Sequence, residues 1–124
     1  MENSLEVAKL NDRLRKNMPL GQLNIELSDS VAASPSRPEI IQAVRKYKDF
    51  DPELDVNGDH SLGIVTVSGD AYVFRFQYGD ERYNYSQETG KRTLSIQHIS
   101  EFRSLKLGHK VQVVAKKILV GPNA

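Results

Sequence analysis

Apolar residues first recur at helical spacing. Val7, Leu10, Leu14 and Met18 form a stripe, with Leu5, Ala8 and Asn11 beside it. Asn3 and Glu6 have the spacing of a capping box, and Pro19 and Gly21 end the pattern. The period then changes to two: Leu23, Ile25 and Leu27 alternate with Asn24 and Glu26, which predicts a half-buried strand. Residues 28–38 read as a small-residue connector. Ser36 and Glu39 mark a second capping box, followed by a helix that buries Ile40, Ile41, Val44 and Tyr47 and ends near Lys48.

From residue 62 onward the pattern is that of strands. Leu62, Ile64, Val65 and Val67 precede a tight turn at Ser68-Gly69-Asp70. Tyr72, Phe74, Phe76 and Tyr78 alternate with Val73, Arg75 and Gln77. Further turns are predicted at Gly79-Asp80 and Glu88-Thr89-Gly90, with Tyr83 and Tyr85 on a strand between them. Leu94, Ile96 and His98 define another strand, and Ser100-Glu101-Phe102 a short helical turn. Val111, Val113, Val114, Ile118 and Leu119 predict a last strand with a bulge. The expected fold is α+β: two helices packed on one face of an antiparallel β-meander, in a single domain over residues 1–124.

Composition narrows the functional classes. The 124 residues contain no Cys, so disulfides, thiolate zinc sites and Cys nucleophiles are excluded. No apolar run reaches a membrane-spanning length, and residues 1–6 lack a signal-peptide pattern, so a cytoplasmic location is expected. The net charge of +1 conceals an asymmetry. Asp49, Asp51, Glu53, Asp55 and Asp59 crowd into residues 49–59 without a base. Arg103, Lys106, Lys110, Lys116 and Lys117 lie in residues 103–124 without an acid.

The acidic junction is the candidate site, with Asp51, Asp55, Gly58, Asp59, His60 and Gly63 as its binding-loop residues. Asp55, Asn57 and Asp59 match the first three oxygen positions of a calcium loop, but His60 and Thr66 stand where Gly and a bidentate acid belong. Asp55, Asp59 and His60 define a metal or acid–base alternative, which His98 would join across the sheet. The structural alternative has the acids capping the turn and His60 locking the loop to the sheet. A nucleic-acid alternative uses Arg103, Lys106, Lys110, Lys116 and Lys117 with the aromatic strand as a stacking face. That face is otherwise the core against the helices.

Four segments carry a family resemblance: Leu10-Asn11-Asp12-Arg13-Leu14-Arg15, Ala43-Val44-Arg45 leading into Asp49-Phe50, Asp55-x-x-Gly58-Asp59-His60-x-x-Gly63, and Arg92-Thr93-Leu94-Ser95-Ile96 before Ser100-Glu101-Phe102. In this order they resemble domain-of-unknown-function family 3768, small alphaproteobacterial proteins often borne on plasmids. The resemblance spans residues 7–102 and leaves 103–124 as a basic extension. That family's loop reads Asn-Asp-Pro-Tyr-Gly-Glu-His-Asp-Phe-Gly. Here Leu54 replaces its Asn, Val56 its Pro, Asn57 its aromatic, Asp59 its Glu, Ser61 its second Asp and Leu62 its Phe. The resemblance implies no established activity and no cofactor. The expected role is non-catalytic binding of another protein, with the loop as contact surface or scaffold. No membrane partner is expected.

Overall fold

A computed structural model describes residues 4–17, 24–78, 92–104 and 107–120. The first helix, α1, runs Ser4–Lys16. It buries Val7, Ala8 and Leu10, as the stripe predicts, and leaves Leu5 exposed. It also buries Asn11 and Arg15, at 0% and 1% exposure, which the apolar pattern does not announce. The Asn3 cap and the stop at Pro19 and Gly21 lie outside the described residues.

Strand β1, Asn24–Leu27, leads into a short helical turn, α2, Asp29–Ala32, inside the predicted connector. Ser28 caps that turn by accepting from the Val31 amide, and Val31 is fully buried. Helix α3 spans Arg37–Lys46 and buries Ile40 and Val44. Ser36 is its N-cap residue, but its side chain makes no capping bond, so the expected capping box does not form. Pro38 in the first turn supplies the helical φ instead.

Strand β2, Leu62–Val67, and strand β3, Asp70–Tyr78, form the expected hairpin. Ser68 and Gly69 take φ of +54° and +83°, the left-handed pair that a two-residue turn between twisted strands requires. Strand β4, Arg92–His98, adds antiparallel to β3, with Phe74 opposite Ile96 and Phe76 opposite Leu94. A 3-10 turn follows at Ile99–Glu101. The predicted turns at Gly79-Asp80 and 88–90, and the strand through Tyr83 and Tyr85, lie outside the described residues.

The expectations for the sheet and for the last strand are corrected. The sheet order is β1-β4-β3-β2, and β1 runs parallel to β4, so the sheet is mixed and not an antiparallel meander. The predicted last strand is a helix, α4, Gly108–Val120. Val111, Val114 and Ala115 are its buried residues, an i, i+3, i+4 row, whereas Val113 and Ile118 face outward. Packing of that row outweighs the modest β preference of its valines.

Each sheet face therefore has its own core. Val65, Tyr72, Phe74, Phe76, Leu94 and Ile96 pack with α2 and α3. Leu62, Ile64, Ala71 and Val73 pack with Phe102 and α4 on the opposite face. The helices thus cover both faces, not one. Tyr72, Phe74 and Phe76 are at most 7% exposed, so this aromatic row is core and presents no stacking platform. Among the described residues, no helix is long and apolar enough to cross a membrane.

Candidate functional site: a loop latched to two helices

The loop between α3 and β2 is built from its own polar groups. The Asp51 carbonyl accepts from the amides of Leu54 and Asp55, and Asp51 Oδ1 accepts from the Glu53 amide at 2.8 Å. The Gly58 amide returns to the Asp55 carbonyl at 3.0 Å. Gly58 then takes φ of +67°, a left-handed turn that glycine adopts without steric cost. His60 follows at φ +58°, an uncommon conformation for a residue with a Cβ. Its amide donates to Asp55 Oδ1 at 2.9 Å, which fixes that turn. Asp59 Oδ1 accepts from the Ser61 amide at 3.3 Å.

Helix α1 supplies the other half of the latch. Asn11 Nδ2 donates to the Asp59 carbonyl at 3.0 Å, with both groups buried. His60 Nδ1 lies 3.0 Å from each Asp12 oxygen, so the ring donates to that carboxylate. His60 Nε2 lies 3.7 Å from Asp55 Oδ2. The imidazole stacks flat on Phe50, with centroids 4.0 Å apart and planes at 7°. Burial pushes the Asp55 carboxyl above its usual range. The His60 amide and the neighbouring ring pull against that shift, and Asp59 and Asp12 add to it.

Arg15 joins the loop to α3. Its Nη1 lies 2.6 Å from the Val44 carbonyl, 2.8 Å from that of Tyr47 and 3.3 Å from that of Arg45. These are carbonyls at the C-terminal end of α3, where a cation meets the negative end of the helix dipole. Nη2 donates to Asp12 Oδ1 at 2.8 Å, and the guanidinium carbon sits 5.4 Å and 5.5 Å from the Phe50 and Phe74 ring centroids. One cation thus fixes both the end of α3 and the carboxylate that holds His60.

The structure brings together Asp55, Asp59 and His60 from the sequence-derived set. Asp51 and Gly58 shape the same loop, and Gly63 packs beneath it. His98 does not join them. It lies at the end of β4, with Nε2 3.1 Å from Asp70 Oδ1 and Nδ1 accepting from the Ser100 amide at 3.1 Å. Ser100 Oγ is 2.8 Å from the same nitrogen, so a hydroxyl, an imidazole and a carboxylate form a chain. That chain caps the 3-10 turn: the Nδ1 lone pair takes the turn's amide, and the Glu101 carboxylate accepts from the His98 amide at 2.7 Å. Partial burial raises the Glu101 carboxyl, but hydrogen bonds from Ser28, His98 and Ser30 outweigh it and hold the group below its ordinary range.

The basic residues do not form a tail. Lys110, Lys116 and Lys117 lie exposed on α4, and Lys117 Nζ is 3.7 Å from Glu53 Oε2. The Arg103 guanidinium donates to the Ser100 and Phe102 carbonyls at 2.7 Å and 3.0 Å. Lys106 lies outside the described residues.

Asn11, Asp12, Arg15 and Phe50 complete the site and are not in the sequence-derived set. Their signal was present in Asn11 and Arg15, polar residues four apart on the buried side of an amphipathic helix. A buried polar pair at that spacing demands partners elsewhere in the fold.

Among the described residues, no group of three His, Asp or Glu side chains is arranged to hold a metal ion. Asp12 orients one nitrogen of His60, as an orienting acid does in a catalytic dyad, and the second nitrogen faces the Asp55 carboxylate.

Fold and site together define a mixed-sheet α+β domain whose acidic loop is latched to α1 and α3 through Asp12, Arg15 and His60. The chain belongs to the family described as "Protein of unknown function (DUF3768)", whose sequence model matches residues 25–99, more than half of its length. The match includes the loop, β2, β3, β4 and β1 from Ile25 onward, but not α1, whose Asn11, Asp12 and Arg15 hold the loop. No curated protein and no solved structure matches the chain.

Proposed function

We propose that the protein is a non-catalytic module that binds another protein, with the loop at 51–63 as the scaffold of its contact surface. One observation carries this reading: His60 and an oxygen from each of Asp51, Asp55 and Asp59 are engaged in holding the loop. His60 faces a carboxylate from each nitrogen, and Asp51, Asp55 and Asp59 each accept a loop amide. A general base needs a free lone pair beside a reacting group, and this ring is held between two acids. The charges left at the surface are Asp49 and Glu53, both exposed, with Glu53 shared with Lys117. Such rim charges steer a partner of opposite sign. The reading extends to a cytoplasmic, mobile-element-associated protein with an accessory or anti-defence role, the setting that the family resemblance implies.

Affinity capture with the full chain, from the bacterium that carries it, tests the reading. The expected result is a retained protein that rebinds saturably as a purified component, and less tightly to an Asp49→Lys, Glu53→Lys variant. Capture of no such protein would contradict it, as would turnover of a substrate by the pure chain that disappears in His60→Asn.

A further inference from the structure

Among the described residues, the sheet order leaves β2 as an edge strand, and its outer side opens into a groove of about 560 Å³. Ile64, Val65 and Thr66 form the floor, Ala43 of α3 and Tyr47 just after it one wall, Ile118 of α4 the other, and residues 49–52 an acidic end. Because α3 and α4 lie on opposite faces of the sheet, the groove is a slot between two layers with a strand edge at its base.

The β2–β3 register fixes which backbone groups face the slot. In a two-residue hairpin the pair flanking the turn, here Val67 and Asp70, is hydrogen-bonded, and alternate pairs follow suit. Gly63 and Val65 therefore bond to β3, and the Ser61 carbonyl does so as well, accepting from the Phe76 amide at 2.8 Å. Leu62, Ile64 and Thr66 turn their backbone groups outward. The Ile64 amide donates to the Tyr47 hydroxyl, which itself donates to the Asp49 carbonyl at 3.0 Å. Among the described residues, the Ile64 carbonyl and the amide and carbonyl of Thr66 have no strand partner.

Soluble proteins protect such edges with charges, proline or shortness. The other edge, β1, has four residues and an exposed Glu26. β2 has six residues, Leu-Gly-Ile-Val-Thr-Val, with no charge and no proline. We propose that this slot binds an extended segment of a protein partner by strand addition to β2, and that the segment is apolar at alternate positions and carries Lys or Arg at one end. Side chains of an added strand alternate between the sheet faces. One set would enter the side walled by Tyr47, Phe50 and Ala43, and the other the side walled by Ile118. The cation follows from the acidic end, where Asp49 is exposed and Asp51 keeps one oxygen beyond its bond to the Glu53 amide. A second copy of the chain does not meet this requirement. β2 carries no cation, and the turn after it, Ser68-Gly69-Asp70, would bring another acid.

This inference rests on the protein-binding reading and specifies its surface. The test pans a displayed library of random linear peptides against the full chain, then measures the selected peptides by fluorescence anisotropy. Enrichment of alternating apolar peptides with a terminal Lys or Arg is expected. Thr66→Pro removes an outward amide and leaves the β2–β3 ladder intact, because proline is tolerated where the N–H faces away from the sheet. It should weaken binding by about tenfold or more, with an unchanged circular dichroism spectrum. Asp49→Lys should weaken the same peptides and lower their salt dependence. Amide exchange at Thr66 should slow when peptide is bound. No enrichment, selection of acidic peptides, binding indifferent to Thr66→Pro, or a dimer of the free chain that Thr66→Pro dissolves would each overturn the proposal. A partner captured from the host that binds Thr66→Pro and the native chain equally would refute the slot and leave the protein-binding reading standing.

Discussion

Arg15→Ala is expected to lower the free energy of unfolding by about 3–5 kcal/mol, the cost of deleting one member of a buried charged network. Arg15 is 1% exposed and reaches three carbonyls at the end of α3 as well as Asp12. Its loss takes a charged donor from those carbonyls, of which Val44 keeps only the Tyr47 amide at 3.3 Å, frees the Asp12 carboxylate beside His60, and opens a gap against Phe50 and Phe74. Arg15→Lys should recover little of the loss, because one ammonium cannot reproduce a planar fork that spans Val44, Tyr47 and Asp12. Urea denaturation checks this: the midpoint should fall with an unchanged slope. A drop of under about 1 kcal/mol for Arg15→Ala would show that Arg15 does not hold the two helices together.

The second large effect is expected at Gly63. A Cβ there would lie 2.6 Å from Cε2 and Cζ of Phe74 and 2.7 Å from Cε2 of Tyr47. Neither ring yields easily. Phe74 is fully buried, packed edge to face with Tyr47 at 5.3 Å and with Phe50 at 6.0 Å. Tyr47 is also tied at its hydroxyl, and burial raises its pKa above the ordinary value, against the pull of the Ile64 amide. Gly63→Ala should therefore destabilise by about 1–3 kcal/mol, the usual range for an overpacked core, and toward the upper end of it. Pairing it with Phe74→Leu should cost less than the sum of the two single changes, because the shorter side chain makes room for the methyl. Additive costs in thermal or chemical unfolding would place the strain elsewhere.

These two residues show what the sequence made legible and what it did not. The periodicity of α1 and α3, the β2–β3 hairpin and the strand at Leu94 and Ile96 are local signals, and they read correctly. The turn residues of the loop read correctly in part: Asp51, Asp55, Asp59 and Gly58 act on their own backbone, but Gly63 takes no left-handed angle, and His60 locks the loop to Asp12 of α1, not to the sheet. The helix α4 misread as a strand because valine and isoleucine favour strands, and its buried row, Val111, Val114 and Ala115, shows its period only when Ala115 is counted. The parallel pairing of β1 with β4 joins segments far apart in the chain, as does the bond from Asn11 to Asp59. No local pattern specifies such a partner. Gly63 was legible as a loop residue, but the reason for it lies in two rings that only the fold brings close. Arg15 was visible as a cation within a resemblance segment, four residues after Asn11 beside the apolar stripe, but the carbonyls it bonds were not, because only the packing of α1 on α3 brings them close.

A double-mutant cycle between Asp12 and His60, using Asp12→Asn and His60→Asn, tests the latch directly. Asparagine tolerates the positive φ at position 60 and keeps a polar side chain at both positions. If the loop is braced through that contact, the two changes should couple by about 1 kcal/mol or more in unfolding free energy, the scale of a hydrogen bond to a charged group. Costs that simply add would mean that His60 is held for something other than the fold, and the account of the loop as a scaffold would be contradicted.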